Sequence, residues 1–352
     1  MVERLLSRRP RALLAAVAVL AAVAAAGCGS SSSGSGSGTG ASTSANGGGA
    51  KPASSSGVTV LEVSGPLDNP FFGAIKKGSD DAASQLGIHY EYLAPTSEND
   101  LQSSLVKLTE SAISRRPSAL VVADGFPPAQ DPVIKKAVAA GIPVVVQNSG
   151  QGSWQRLGAV GFVGEEPVLM GAAAGQQLKA AGVTQALCVN GVPGNPTLAE
   201  RCQGFARALG GTVVNVDIPP TDGGNPTAIT QAIRGALASH KDVNGVFTLG
   251  ADLAVSALQA IDAQGMTGKV KVGTTDLSRQ VLADVQSGKL LFVIDQQPYL
   301  EGYDAVQMAA QAAQYGVHPV SAVTTGPLVI TRDTVGQVLA VNQRAPGVRG
   351  SD

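Results

Sequence analysis

Short apolar segments alternate with longer amphipathic segments along most of the chain. Val58–Val63 is mainly apolar and rich in β-branched residues, which is typical of a strand buried on both faces of a parallel sheet. Phe71, Ile75, Ala82 and Leu86 follow at helical spacing. The same alternation continues to about residue 315 and predicts the α/β class, with helices on both faces of parallel sheets. The strands are too many for one six-stranded sheet, so we expect two sheets.

Three predicted helices begin with an Asn-Pro pair after a Gly-containing loop. These pairs are Asn69-Pro70, Asn195-Pro196 and Asn225-Pro226. Asparagine caps a helix, and proline suits the first helical position because no N–H is needed there. Open α/β proteins bind ligands at this point, beyond the carboxyl end of a strand. Helix capping alone also explains the pairs, so the pattern by itself leaves a ligand site open.

The N-terminal segment is typical of an export signal. Four arginines lie within the first 11 residues, an apolar run follows, and Ala25-Ala26-Gly27-Cys28 ends it. The last four residues resemble a bacterial lipobox, although alanine stands where leucine is commonest. We therefore predict a lipoprotein signal over 1–28 with lipidation of Cys28; the alternative is ordinary cleavage that leaves a free thiol.

Residues 29–57 consist almost entirely of Gly, Ser, Ala and Thr. Such a segment buries too little apolar surface to fold, so we predict a flexible tether of roughly 30 Å. An acylated Cys28 and this tether would hold a folded unit at the outer face of the cell membrane, on the periplasmic or extracellular side.

Composition excludes several functional classes. The formal net charge of the 352-residue chain is −1, which argues against nucleic acid as a partner. The sequence holds no HExxH, no metal-spaced Cys/His cluster, no Walker A motif and no nucleophile elbow in the folded region. We therefore predict a binding protein with no enzymatic activity, no metal and no cofactor.

Cysteine usage fits an exported chain. With Cys28 assigned to lipidation, Cys188 and Cys202 remain as a pair. An oxidising exterior favours a disulfide between them, and the alternative is two buried thiols.

Several segments together resemble the type I periplasmic sugar-binding proteins of ABC importers, especially the ribose-binding branch. The resemblance covers the chain from about residue 57 onward. The chain also resembles the effector domains of LacI-type repressors, which have the same fold. The segments that carry it are DNPFFGAIKKG, AAGIPVVVQNS, GNPTLAERCQGF, HKDVNGVFTLGADLAVSALQA, VKVGTTDLS and SGKLLFVIDQQPYLEGY. An intracellular repressor would need a helix-turn-helix where this chain has its export signal.

The resemblance implies two Rossmann-like lobes joined by a three-strand hinge, with the ligand bound between them. The N-terminal lobe would comprise 58–163 and 297–325, and the C-terminal lobe 164–296 and 326–345. The implied role is delivery of a neutral monosaccharide or polyol to an ABC permease by a monomeric binding protein. The alternative is a sensor lipoprotein that presents its ligand to a membrane receptor.

The resemblance also implies ligand positions. Arg201 matches a ligand arginine whose guanidinium can donate to two neighbouring hydroxyl oxygens, although it could instead be a solvated helix residue. The Asp-Arg pair of the family is replaced by neutral residues that include Asn148, so the sugar need not be ribose. The second aromatic ring of the family is missing, and Trp154 could replace it or be a core or rim residue. The predicted ligand set is Asn69, Phe71, Phe72, Asp124, Asn148, Trp154, Arg201, Asp276 and Gln296.

Overall fold

The computed structural model describes residues 57–96 and 100–351. The predicted lipoprotein signal with Cys28 and almost all of the predicted tether lie outside the described residues. Within the described part, no helix is both long enough and apolar enough to cross a bilayer.

Two six-stranded sheets form the framework, as the sequence predicts. In the first half of the chain the elements are β1 (Thr59–Val63), α1 (Pro70–Leu86), β2 (His89–Leu93), α2 (Leu101–Ser114), β3 (Ala119–Val122), α3 (Pro127–Ala139), β4 (Val144–Gln147), α4 (Trp154–Leu157) and β5 (Gly161–Gly164). The next elements are α5 (Pro167–Ala180), β6 (Gln185–Asn190), α6 (Pro196–Leu209), β7 (Thr212–Asp217), α7 (Pro226–Ser239), β8 (Gly245–Thr248), α8 (Ala251–Ala263), β9 (Lys271–Thr275), α9 (Arg279–Ser287) and β10 (Phe292–Asp295). The last are α10 (Pro298–Tyr315), β11 (Val323–Thr324), β12 (Leu328–Thr331) and α11 (Val335–Arg344).

The first sheet has the strand order β11-β5-β4-β3-β1-β2, and the second has the order β12-β10-β9-β8-β6-β7. Every described strand pair is parallel except β10 with β12, which is antiparallel. The chain passes between the sheets after β5, after β10 and after β11. The predicted α/β class with two sheets is confirmed, whereas the lobe boundaries stay predictions.

The Asn-Pro pairs start helices, as predicted. Asn69 Oδ1 accepts from Phe71 N at 3.1 Å, Asn195 Oδ1 from Thr197 N at 3.0 Å. Asn225 caps α7 in the same way. Each cap satisfies an N–H that the first turn of a helix otherwise leaves without a partner. The caps therefore determine the residue at which each of these helices begins, close to the carboxyl end of the strand that precedes it.

The predicted disulfide is present. Cys188 on β6 and Cys202 on α6 are bridged, with their Cα atoms 5.9 Å apart. Both residues are buried in the core between the second sheet and helices α5 and α6. The bond therefore ties α6 to the strand that precedes it.

Helices α5 and α6 pack with their backbones close together. A Cβ placed on Gly171 of α5 would lie 1.9 Å from the carbonyl oxygen of Arg201 on α6. Only glycine allows this approach, because any side chain would have to displace backbone atoms. The close contact sets the position of the helix turn that carries Arg201.

Candidate functional site

A cavity of about 200 Å³ lies where the carboxyl ends of strands from both sheets meet. Its lining includes Gly125 after β3 and Asn148 after β4 of the first sheet, and Leu249 after β8 and Asp276 after β9 of the second. Ligand sites of open α/β sheets occupy this edge because the helix N-termini and connecting loops converge there. The cavity is therefore the candidate site.

Two aromatic rings from the start of α1 form part of its wall. Phe71 and Phe72 both line the cavity, and their rings meet edge to face with centroids 5.2 Å apart. Phe71 is buried and Phe72 is half-buried. The Phe72 ring lies against Gly65, where an added Cβ would fall 2.2 Å from ring atoms. This packing fixes the ring, and an apolar ring face suits the C–H face of a sugar or cyclitol.

Two polar lining residues have unusual backbone conformations. Asn148 has φ of 61° and Asp276 has φ of 69°, both in the left-handed region. Asparagine and aspartate tolerate this region better than most residues, and such conformations concentrate at functional sites. In each case the turn brings a polar side chain to the cavity immediately after a buried strand.

Arg201 lines the cavity from the first half of α6, and only 3% of its surface is exposed. Its Nε donates to Glu165 Oε1 at 2.9 Å, and its Nη2 donates to Gln296 Oε1 at 2.8 Å. Gln296 in turn donates through Nε2 to Asp276 Oδ1. Because two sides of the guanidinium are already held by protein, the remaining N–H groups have a set direction. The arginine is a buried, oriented donor and not a solvated helix residue.

Burial raises the pKa of the carboxyl groups around this arginine. The pKa of Glu165 rises to about 6, with Arg201 opposing the shift. Burial also raises the pKa of Asp276 and, more strongly, that of Glu301, which accepts from Asn148 Nδ2 at 3.1 Å. The Arg201 guanidinium and the Glu165 carboxyl group are paired with each other, so neither presents an uncompensated charge to the cavity. Such a site suits a neutral ligand whose hydroxyl groups need hydrogen-bond partners when they are buried.

The two sheets are also linked directly across the cavity. Asn195 Nδ2, on the loop after β6, donates to Ser149 Oγ, on the loop after β4, at 3.2 Å. Both residues line the cavity. The Asn195 side chain therefore caps α6 with its oxygen and reaches the opposite loop with its nitrogen.

Seven of the nine predicted ligand residues line the cavity. They are Asn69, Phe71, Phe72, Asn148, Arg201, Asp276 and Gln296. Whether they contact a ligand stays a prediction. The lining also includes residues that the sequence reasoning did not assign to a ligand, namely Ser149, Asn195, Asp252 and Ser278. Of these, Asn195 carries a sequence signal, since it starts a helix directly after a Gly-containing loop.

The other two predicted residues are not among those that line the cavity. Asp124 is fully buried and accepts from Ser153 Oγ, and burial raises its pKa to about 6. Trp154 starts the single turn α4 and packs in the core of the first sheet with Phe126 and Leu157. This burial fits the core alternative for Trp154, and whether either residue contacts a ligand stays a prediction.

Comparison with known proteins identifies the family. The model of the periplasmic binding protein domain family matches residues 63–316. A carbohydrate transporter structure from Acidothermus cellulolyticus 11B, in complex with myo-inositol, is 30% identical with a TM-score of 0.76, covering 84% of this chain and all of that one. The ribose import binding protein RbsB of Bacillus subtilis is 27% identical, over 76% of this chain and 86% of the relative.

A further relative, the xylose/arabinose-binding protein XylF of Sulfolobus acidocaldarius, is 28% identical over 67% of this chain. The match spans only 61% of that relative's length. The chain belongs to the periplasmic binding protein domain family. The predicted resemblance to ribose-type sugar-binding proteins is thereby confirmed, as is the prediction of a binding protein rather than an enzyme.

Proposed function

We propose that this chain is the extracytoplasmic solute-binding protein of an ABC importer, acting as a monomer that delivers a neutral monosaccharide or polyol to a membrane permease. The observation that carries the proposal is the cavity shared by both sheets, with Phe72 on one side and Arg201, Asp276 and Gln296 on the other. The ring face of Phe72 can cover the C–H groups of the ligand. The guanidinium of Arg201 can donate to ligand hydroxyl groups, and the carboxylate oxygens of Asp276 can accept from them. Similarity to the Acidothermus protein bound to myo-inositol supports cyclic polyols as ligands.

The two sheets would act as the centres of two lobes that close on the ligand by a hinge. In this proposal the lobes comprise 58–163 with 297–325 and 164–296 with 326–345. A ligand favours the closed state only through contacts it makes better there, which requires groups from both lobes. Phe72 and Arg201 meet that requirement, since they follow strands of different sheets.

A thermal-shift screen tests the proposed function. We expect myo-inositol, ribose, xylose, arabinose or allose to raise the melting temperature, because a ligand that binds only the folded state stabilises it by mass action. At a hundredfold excess over Kd the gain is about 2.7 kcal/mol, or roughly 4 °C for a folded chain of this size. Amino acids and nucleosides serve as the comparison panel. A shift with one of those and with none of the sugars or polyols would contradict the proposal.

We further propose that lipidated Cys28 anchors the protein at the outer face of the membrane, on the periplasmic or extracellular side. The support is the apolar run that ends at this cysteine and the Gly/Ser-rich segment that follows it. Cys28→Ser should move the exported protein from the membrane fraction to the soluble fraction, since the acylated thiol is removed. Ser30→Ala, two residues further along the chain, is the control and should remain with the membrane. Membrane association of Cys28→Ser equal to that of the control would argue against lipidation.

A further inference from the structure

Glu165 lies at the first point where the chain crosses from one sheet to the other, directly after β5. Its side chain is completely buried, and it is not among the residues that line the cavity. Oε1 accepts from Arg201 Nε at 2.9 Å, whereas Oε2 has no hydrogen-bond partner in the described part of the chain. A buried carboxylate with a single partner is costly, so its retention at this position calls for a reason.

The reason lies in the geometry of Arg201. The guanidinium is planar, and rotation about the end of its side chain would redirect all of its donors. Glu165 holds Nε, Gln296 holds Nη2, and Nη1 makes no hydrogen bond within residues 57–96 and 100–351. With two edges held, Nη1 keeps one direction at the cavity. A donor oriented in advance loses less freedom on binding than one that must first be ordered.

We propose that Glu165 is a positioning residue for the ligand, which orients Arg201 through a buried ion pair and makes ligand binding depend on pH. This inference rests on the proposed function, because it assumes that Arg201 contacts the ligand.

The direction of the pH dependence follows from the groups around Glu165. Arg201 faces it from α6, Asp276 from the loop after β9, Glu301 from α10, and Glu166 is the next residue in the chain. Burial raises the pKa of Glu165 to about 6. Above that pH the carboxylate is ionised and pairs with Arg201. As the pH falls through about 6 the carboxyl gains a proton, Arg201 loses its counter-charge, and affinity should decrease.

Two substitutions separate the effect of the negative charge of Glu165 from the effect of its side-chain length. Glu165→Gln keeps the shape and removes the charge, and Glu165→Asp keeps the charge and shortens the side chain by one methylene. Each should raise Kd roughly tenfold at pH 7.5, the lower end for a hydrogen bond to a charged group. Calorimetry with the ligand found in the screen, from pH 5 to pH 8, provides the measurement. Glu110→Gln, at an exposed position of α2, is the matched control and should keep Kd within twofold and preserve the pH profile.

The pH profile distinguishes positioning from a merely structural effect. The wild-type Kd should rise below pH 6 toward that of Glu165→Gln, and the profile of Glu165→Gln should be flat. A wild-type Kd independent of pH, or a step near pH 6 that persists in Glu165→Gln, would overturn the proposal. In the second case Asp276 or Glu301 would carry the titration.

A measurement without ligand keeps this inference separate from the proposed function. In ¹⁵N-labelled protein the Arg201 Nε–H resonance, assigned by its absence in Arg201→Lys, should be protected from solvent exchange at pH 7.5. It should shift with a midpoint near pH 6 and lose protection in Glu165→Gln. An Arg201 signal that Glu165→Gln leaves unchanged would refute the positioning role, even if no sugar binds.

Discussion

Replacing Arg201 by alanine is expected to weaken ligand binding ten- to hundredfold or more and to destabilise the fold. Ligand hydroxyls desolvated by closure would lose their donors, which costs about 1–3 kcal/mol. Glu165 would also lose its partner in a buried position. Breaking a buried ion pair typically costs 3–5 kcal/mol, and about 3 kcal/mol is expected here because Glu165 can take up a proton. Calorimetry and chemical denaturation measure the two effects.

Variants on the same helix and across the cavity sharpen this test. Arg207→Ala, on an exposed turn of α6, should change the free energy of unfolding by less than about 0.5 kcal/mol and leave Kd unchanged. Arg201→Lys should recover only part of the affinity, since a point charge cannot donate in a fork. Phe72→Ala should weaken binding by loss of contact area. Affinity within twofold of wild type in both Arg201→Ala and Phe72→Ala would mean that the cavity is not the binding site.

Removing the disulfide is expected to lower the free energy of unfolding by about 3 kcal/mol in the chain-entropy model, given that its two cysteines are 14 residues apart. The double variant Cys188→Ala/Cys202→Ala removes the bond, and urea denaturation measures the loss. Reductant is the matched control. It should destabilise the wild type by a similar amount and leave the double variant unchanged.

The location of the bond adds a functional consequence. Cys202 is the residue after Arg201, so the disulfide holds the helix turn that carries the proposed ligand donor. We expect the double variant to bind the ligand severalfold more weakly while remaining folded. Alkylation of both thiols without reductant, in correctly exported protein, would contradict the bridge.

Local signals made much of the fold predictable. The alternation of strands and helices depends on hydrophobic periodicity, and the helix starts at Asn69, Asn195 and Asn225 depend on capping chemistry within a few residues. The two strands that follow α10 in the chain were not predictable in this way. Strand β12 pairs antiparallel with β10, and β11 has only two residues, so neither gives a clear periodic pattern.

The limits at the site have a similar cause. The resemblance predicted Arg201, Asp276 and Gln296 as ligand positions because each lies in one of the segments that carry it, and all three line the cavity. The burial of Trp154 depends on a helix of only four residues, which helix propensity does not predict. The pairing of Glu165 with Arg201 joins residues 36 positions apart on different elements. Long-range side-chain contacts of this kind follow from packing, which a single sequence does not specify.

A crystal structure of the protein with the ligand identified in the screen shows directly whether the cavity between the two sheets is the binding site. We expect ligand density in this cavity, with hydroxyl oxygens within hydrogen-bond distance of Arg201 and Asp276 and a C–H face against Phe72. Density for the ligand outside this cavity, with Arg201 bound only to Glu165 and Gln296, would contradict it.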